Sequence, residues 1–105
     1  MFKVIGTDTY SKEISKWPKL ELESAQKIPL QLAGDPYVGK PLSYPFLREK
    51  RIKEKRVYYL VYNDLMLILL VAASGKKGQQ ATIDYIKENL NEYRKIAEDI
   101  AKQVS

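Results

Sequence analysis

The sequence predicts an α+β fold, and three observations predict it. A β-branched segment opens the chain ahead of a helical stretch. Three β-forming runs then follow in close succession (FLREKRI, RVYYLVY and LMLILLVAA), and the tail carries apolar residues at helical spacing. At 105 residues with 45% hydrophobic side chains, the chain is one domain's worth and can bury a core of its own. The expected composite is a small single domain over residues 1–105. It comprises an N-terminal strand and helical pair, an antiparallel three-strand meander completing a four-stranded sheet, and a C-terminal amphipathic helix packed on that sheet.

Each element has its own warrant. Phe2 to Thr7 alternates in part and reads as the first strand. Thr9 or Ser11 can cap a short helix that puts Ile14 and Trp17 on one face. Pro18 interrupts it, and a second series, Leu20, Leu22, Ala25, Ile28 and Leu32, is broken by Pro29, so residues 10–34 are expected to be helical with interruptions. Gly34-Asp35-Pro36, Gly39-Lys40-Pro41 and Ser43-Tyr44-Pro45 punctuate a loop. In the first two β runs apolar and polar residues alternate. The third is apolar throughout, as a strand covered on both faces requires. Asn63-Asp64 suits a two-residue hairpin turn. From Ala81 to about Gln103, the positions of Ile83, Ile86, Leu90, Tyr93, Ile96, Ala97 and Ile100 describe one apolar helix face.

Composition excludes several classes of function. With no cysteine and no histidine, the chain has no thiol nucleophile, no imidazole acid or base and no structural zinc site, and no metal or cofactor is implied. The longest apolar run, Leu65 to Ala73, is nine residues, against the roughly 20 a membrane helix needs. The opening MFKVIGTDTY lacks the apolar stretch of a signal peptide. A cytoplasmic location is therefore the expectation. Ser74-Gly75-Lys76-Lys77-Gly78 has Leu70 where a phosphate loop needs glycine, so nucleotide triphosphate binding is set aside.

The net charge is +5, and residues 48–56 alone contribute six cations against two acids. Such a local excess selects anionic partners. If the first hairpin turns at Lys53-Glu54, Arg51 lies opposite Arg56, Glu49 opposite Tyr58 and Leu47 opposite Leu60 on one face. A turn at Asn63-Asp64 then places Arg56 opposite Val71, and Lys76 and Lys77 leave from the same end of the sheet. Four cations, Arg51, Arg56, Lys76 and Lys77, are expected to converge there. Like charges directly opposite on a sheet repel. Glu49 is the local counterion, and a phosphodiester would satisfy the remainder through guanidinium forks and ammonium charge. Arg48, Lys50, Lys53, Lys55 and Tyr58 are the candidate RNA contacts, since an exposed tyrosine between cations can stack an unpaired base. Tyr59 is expected to pack in the core.

The order GKPL, LREKRI, KRVYYLVY, LILLVAASGKK and a terminal helix, over roughly residues 34–90, resembles the RelE/ParE toxin superfamily and its HigB-like branch. The resemblance implies the toxin of a toxin–antitoxin pair, a ribosome-associated endonuclease that cleaves mRNA and is silenced by a cognate antitoxin. Arg51 and Arg56 match that family's hairpin arginines, and Lys76 and Lys77 its basic pair after the last strand. In such chemistry a 2′-oxygen attacks the adjacent phosphorus, and cations stabilise the charge that develops. Lys76 or Lys77, crowded by other cations, is the candidate proton-transfer group, and Glu49 is the alternative base or else a counterion. Two other readings stay open: a ParE-like toxin that inhibits a topoisomerase without cutting RNA, and a non-catalytic RNA-binding module using the same basic edge.

Overall fold

The structure, a computed structural model, describes residues 1–103; Val104 and Ser105, the end of the expected domain, lie outside the described residues. Strand β1 (Lys3–Gly6) leads into helix α1 (Asp8–Ser15). The cap is Thr7 rather than Thr9 or Ser11. Its Oγ1 accepts from the Tyr10 amide at 3.2 Å and donates to the Val71 carbonyl at 3.3 Å, so one hydroxyl starts the helix and ties it to the sheet. Helix α2 (Lys19–Gly34) follows Pro18 and runs through Pro29, where a break was expected. Proline there removes one backbone hydrogen bond, but Ala25, Ile28 and Leu32 are buried on both sides of it and hold the helix in register.

The sheet has five strands rather than four. To the meander of β3 (Tyr44–Ile52), β4 (Lys55–Tyr62) and β5 (Leu67–Gly75) the structure adds β2 (Lys40–Leu42), which lies in the segment expected to be a loop. The order is β1-β5-β4-β3-β2, with β1 parallel to β5 and every other pair antiparallel. Strand β2 is too short to show a period and contains Pro41, which an edge strand tolerates. Ser43, at φ 62°, makes the tight connection into β3.

The first hairpin has the expected register, Leu47↔Leu60, Glu49↔Tyr58 and Arg51↔Arg56, with Lys53 at φ 53° in the turn. The second differs. Asn63–Leu65 form a 3₁₀ turn and Met66 takes the left-handed conformation at φ 50°, so the loop is longer than two residues and Tyr62 pairs with Leu67. A bulge then sets Val71 between the pairs Tyr59↔Leu70 and Tyr58↔Ala72. Arg56 consequently lies opposite Ser74, not Val71. The extra residue also reverses which face the rest of β5 presents, and that reversal turns Ser74 toward Tyr58, whose hydroxyl lies 2.8 Å from Ser74 Oγ.

Both faces of the sheet are covered, and all of β5 up to Ser74 is buried. One face packs Val57, Tyr59, Ile68 and Leu70 against α1, Trp17 and α2. The other packs Leu47, Tyr58, Leu60 and Leu69 against the C-terminal helices. These are two, α3 (Gln79–Glu88) and α4 (Leu90–Gln103), not one. Asn89 separates them at φ −117°, ψ 21°, and its side-chain amide donates back to the Tyr85 carbonyl at 2.8 Å. Asparagine competes in this way with helical hydrogen bonding. The apolar period passes across the break because Ile83 and Ile86 before it, and Leu90, Tyr93 and Ile100 after it, face the same core. Arg94 anchors α4 by donating to both Asp64 carboxylate oxygens, at 3.0 and 2.6 Å. Among the described residues no helix is long and apolar enough to cross a membrane.

Candidate functional site

The β3–β4 turn, the end of β5 and the start of α3 meet at one end of the sheet, where Lys55 pairs with Gly75. A polar cleft of about 460 Å³ opens there, its walls including Lys40, Glu49, Arg51, Arg56 and Gln79. A mostly apolar recess of about 500 Å³ occupies the opposite end of the meander, beside Phe46, Tyr62 and Leu90. The one cation lining that recess, Arg94, is bound to Asp64.

The two paired arginines have different surroundings. Arg56 is 6% exposed, and its Nε lies 3.4 Å from Oε1 of Glu49, itself 7% exposed. Its Nη1 reaches the carbonyls of Lys53 and Lys55 at 3.3 and 3.2 Å. Glu49 and Arg56 are diagonal neighbours on one sheet face, which brings long side chains within reach of each other. Gln79 Nε2 donates to the same Glu49 oxygen at 2.7 Å, joining α3 to the pair. Arg51 is exposed and uses only Nε, which donates to the Lys53 carbonyl at 3.0 Å. Its two terminal nitrogens have no partner among the described residues, and the side chain lines the cleft. Cross-strand repulsion between the arginines is thus relieved by a buried carboxylate under one and solvent around the other.

The remaining candidates divide. Lys50 is half-buried and lines the cleft. Lys76 and Lys77 are exposed and leave from this end of the sheet, but the cleft wall beyond β5 is supplied by Gln79 instead. Lys53 is exposed, 4.0 Å from Glu21, and Lys55 sits 5.9 Å from the centre of the Trp17 ring. Arg48 is half-buried and engaged within the chain. It donates to the carbonyls of Tyr37, Gly39 and Pro45 at 2.7–3.0 Å and lies 5.1 Å from the Tyr37 ring centre. Tyr58 is a correction: with 0% exposure it offers no ring face to a base. The register put it beside Glu49, but α3 and α4 cover that face of β4. Burial pushes its hydroxyl up, against the lowering effect of the Ser74 hydrogen bond, and nearby Glu49 raises it further. The group is a neutral hydrogen-bonding partner at physiological pH and not a base. Tyr59 packs in the core as expected.

Sequence reasoning missed two wall elements. Gln79 gave no signal, being one amide at the start of a helix. The segment 36–40 is placed by Arg48 and by Tyr59, whose hydroxyl accepts from the Gly39 amide at 3.0 Å and donates to the Pro36 carbonyl at 2.9 Å. Gly39 is required there because a Cβ would lie 2.6 Å from the Glu49 carbonyl oxygen and 2.7 Å from the Tyr59 hydroxyl. Gly39→Ala should therefore destabilise the protein by about 1–3 kcal/mol through overpacking. Thermal denaturation checks this, and an unchanged midpoint would mean that the segment is free to move aside.

No family model and no curated protein matches the sequence, so the comparison rests on the fold. An isolated E. coli RelE toxin superposes with a TM-score of 0.65 at 13% identity, covering 84% of this chain and 98% of that one. The fold is that of the RelE toxins. Free E. coli RelE with two arginines replaced by alanine gives a TM-score of 0.69 at 13% identity, over 83% and 96% of the two chains. A chain of the RelBE2 toxin–antitoxin complex of Mycobacterium tuberculosis gives 0.62 at 20% identity, over 70% and 96%. The buried Glu49–Arg56 pair and the Arg48 staple are features of this chain's own side chains.

Proposed function

We propose that the protein is the toxin of a toxin–antitoxin pair and acts as a ribosome-associated endoribonuclease, with the polar cleft as its active site. The observation that carries this reading is the pairing of Arg51 and Arg56 on the wall of a cationic cleft, in a chain with the RelE fold. Arg51 presents a guanidinium fork matched to two phosphate oxygens. Arg56 is fixed by Glu49 and the turn carbonyls, so its charge needs no reorganisation when negative charge grows on the phosphorus. Lys40 and Lys50 add to the same field.

In the mechanism one of Lys76 and Lys77 takes the proton of the RNA 2′-hydroxyl as its oxygen attacks the neighbouring phosphorus, and the P–O5′ bond breaks. The products are a 2′,3′-cyclic phosphate and a 5′-hydroxyl. The other lysine gives its proton to the leaving 5′-oxygen; both side chains are exposed just after β5, at the end of the sheet where the cleft opens. Glu49 acts as counterion, since its near oxygen is already engaged by Arg56 and Gln79. The cognate antitoxin is an acidic partner that covers Arg51 and the cleft, and the site of action is the cytoplasm. Purified protein added to translating ribosomes should release mRNA fragments with 5′-hydroxyl ends. Intact mRNA, or fragments ending in 5′-phosphate, would contradict the mechanism.

A further inference from the structure

Beside the cleft, on the α2 side of the sheet, lies a second open groove of about 480 Å³, lined in part by Ser24, Lys27 and Gln31 of α2 and by Lys50, Arg51 and Lys53 of the first hairpin. Lys50 and Arg51 belong to both hollows. Strand β2 pairs β3 only as far as Glu49, so residues 50–52 have no strand partner on that edge, and the two hollows share Lys50 and Arg51 there. No acid lines the groove; the carboxylate that approaches is Glu21, 4.0 Å from an exposed Lys53. Its floor, Ile28 and Ile52, is buried, and no exposed aromatic or aliphatic anchor of the kind protein interfaces use lies in it. What it offers is cations interspersed with a hydroxyl and an amide, the side chains that contact phosphate and sugar.

We infer that this α2 groove is a second backbone subsite for single-stranded RNA, holding the phosphates that flank the segment in the cleft, with Lys50 and Arg51 as the shared ridge. The inference rests on the RNA reading of the cleft and extends it to a binding track that turns around the edge of β3. Its consequence is a dependence on RNA length: an oligonucleotide filling only the cleft ignores Lys27, and a longer one uses it.

The test measures binding of 2′-O-methyl oligouridylates of 4 and 12 nucleotides, which cannot be cleaved because the attacking oxygen is blocked. Wild-type protein, Lys27→Glu and Arg51→Ala are compared. Wild type should hold the longer RNA more tightly. Lys27→Glu should weaken the 12-mer about tenfold, lower its salt slope by about 0.7 per lost phosphate contact, and leave the 4-mer unchanged. Arg51→Ala should weaken both. Equal binding of both lengths by Lys27→Glu and wild type, with Arg51→Ala still defective, would overturn the subsite and leave the cleft reading standing. No binding of either length by wild type would overturn both. Binding of an oligoglutamate peptide that Lys27→Glu abolishes, without any RNA length effect, would assign the groove to an acidic protein and overturn the proposal.

Discussion

Arg56→Ala should cost about 3–5 kcal/mol of folding stability, because it breaks a buried ion pair and leaves one charge uncompensated. Both members are nearly inaccessible, Arg56 at 6% and Glu49 at 7% exposure, and without the guanidinium the near Glu49 oxygen keeps only the Gln79 amide. The lost donations to the Lys53 and Lys55 carbonyls also loosen the turn that carries Arg51. At roughly 4–8 °C per kcal/mol for a domain of this size, the denaturation midpoint should fall by more than about 12 °C. From the sequence alone, Arg56→Ala is expected to remove activity and spare the fold; the buried pair corrects that expectation. Combining Arg56→Ala with Glu49→Gln should recover part of the loss by removing the stranded charge. A single variant as stable as wild type would show that the pair is solvated in solution.

Arg51→Ala is the cleaner probe of chemistry. The side chain is exposed and makes one hydrogen bond, to a carbonyl in its own turn, so stability should stay within about 0.5 kcal/mol of wild type. If the guanidinium stabilises charge on the phosphorus, the cleavage rate should fall about 10²- to 10³-fold. Arg51→Lys should lie between, since an ammonium keeps the charge and loses the fork. Single-turnover cleavage of ribosome-bound mRNA measures both. Equal rates for Arg51→Ala and wild type would take Arg51 out of the site.

Local pattern and hairpin arithmetic made much of this legible in the sequence. The Arg51↔Arg56 pairing follows from a turn at Lys53-Glu54 and period-two alternation, and the apolar run ending at Ala73 announces a strand covered on both faces. The errors arise where one residue changes the count. Met66 accepts a left-handed conformation that nothing in its type suggests, and the Val71 bulge shifts β5 past β4, so Ser74 rather than Val71 faces Arg56. Strand β2 and the break at Asn89 went unread for the same reason: three residues carry no period, and one asparagine does not interrupt an apolar stripe that serves both helices. At the site, sequence showed which cations cluster but not which are already engaged. Arg48 holds the 36–40 segment by bonding carbonyls of a loop that carries no period, and Tyr58 lies beneath α3 and α4, which come later in the chain.

The central claim is that the cleft around Arg51 cuts RNA in cells, and induced expression in a bacterial host with transcript 5′-ends mapped across the transcriptome tests it most directly, with Arg51→Ala as the folded control. Growth arrest accompanied by new 5′-ends inside translated reading frames, both absent with Arg51→Ala, is the predicted result. Arrest with intact transcripts and a DNA-damage response would contradict it and favour topoisomerase inhibition of the ParE kind.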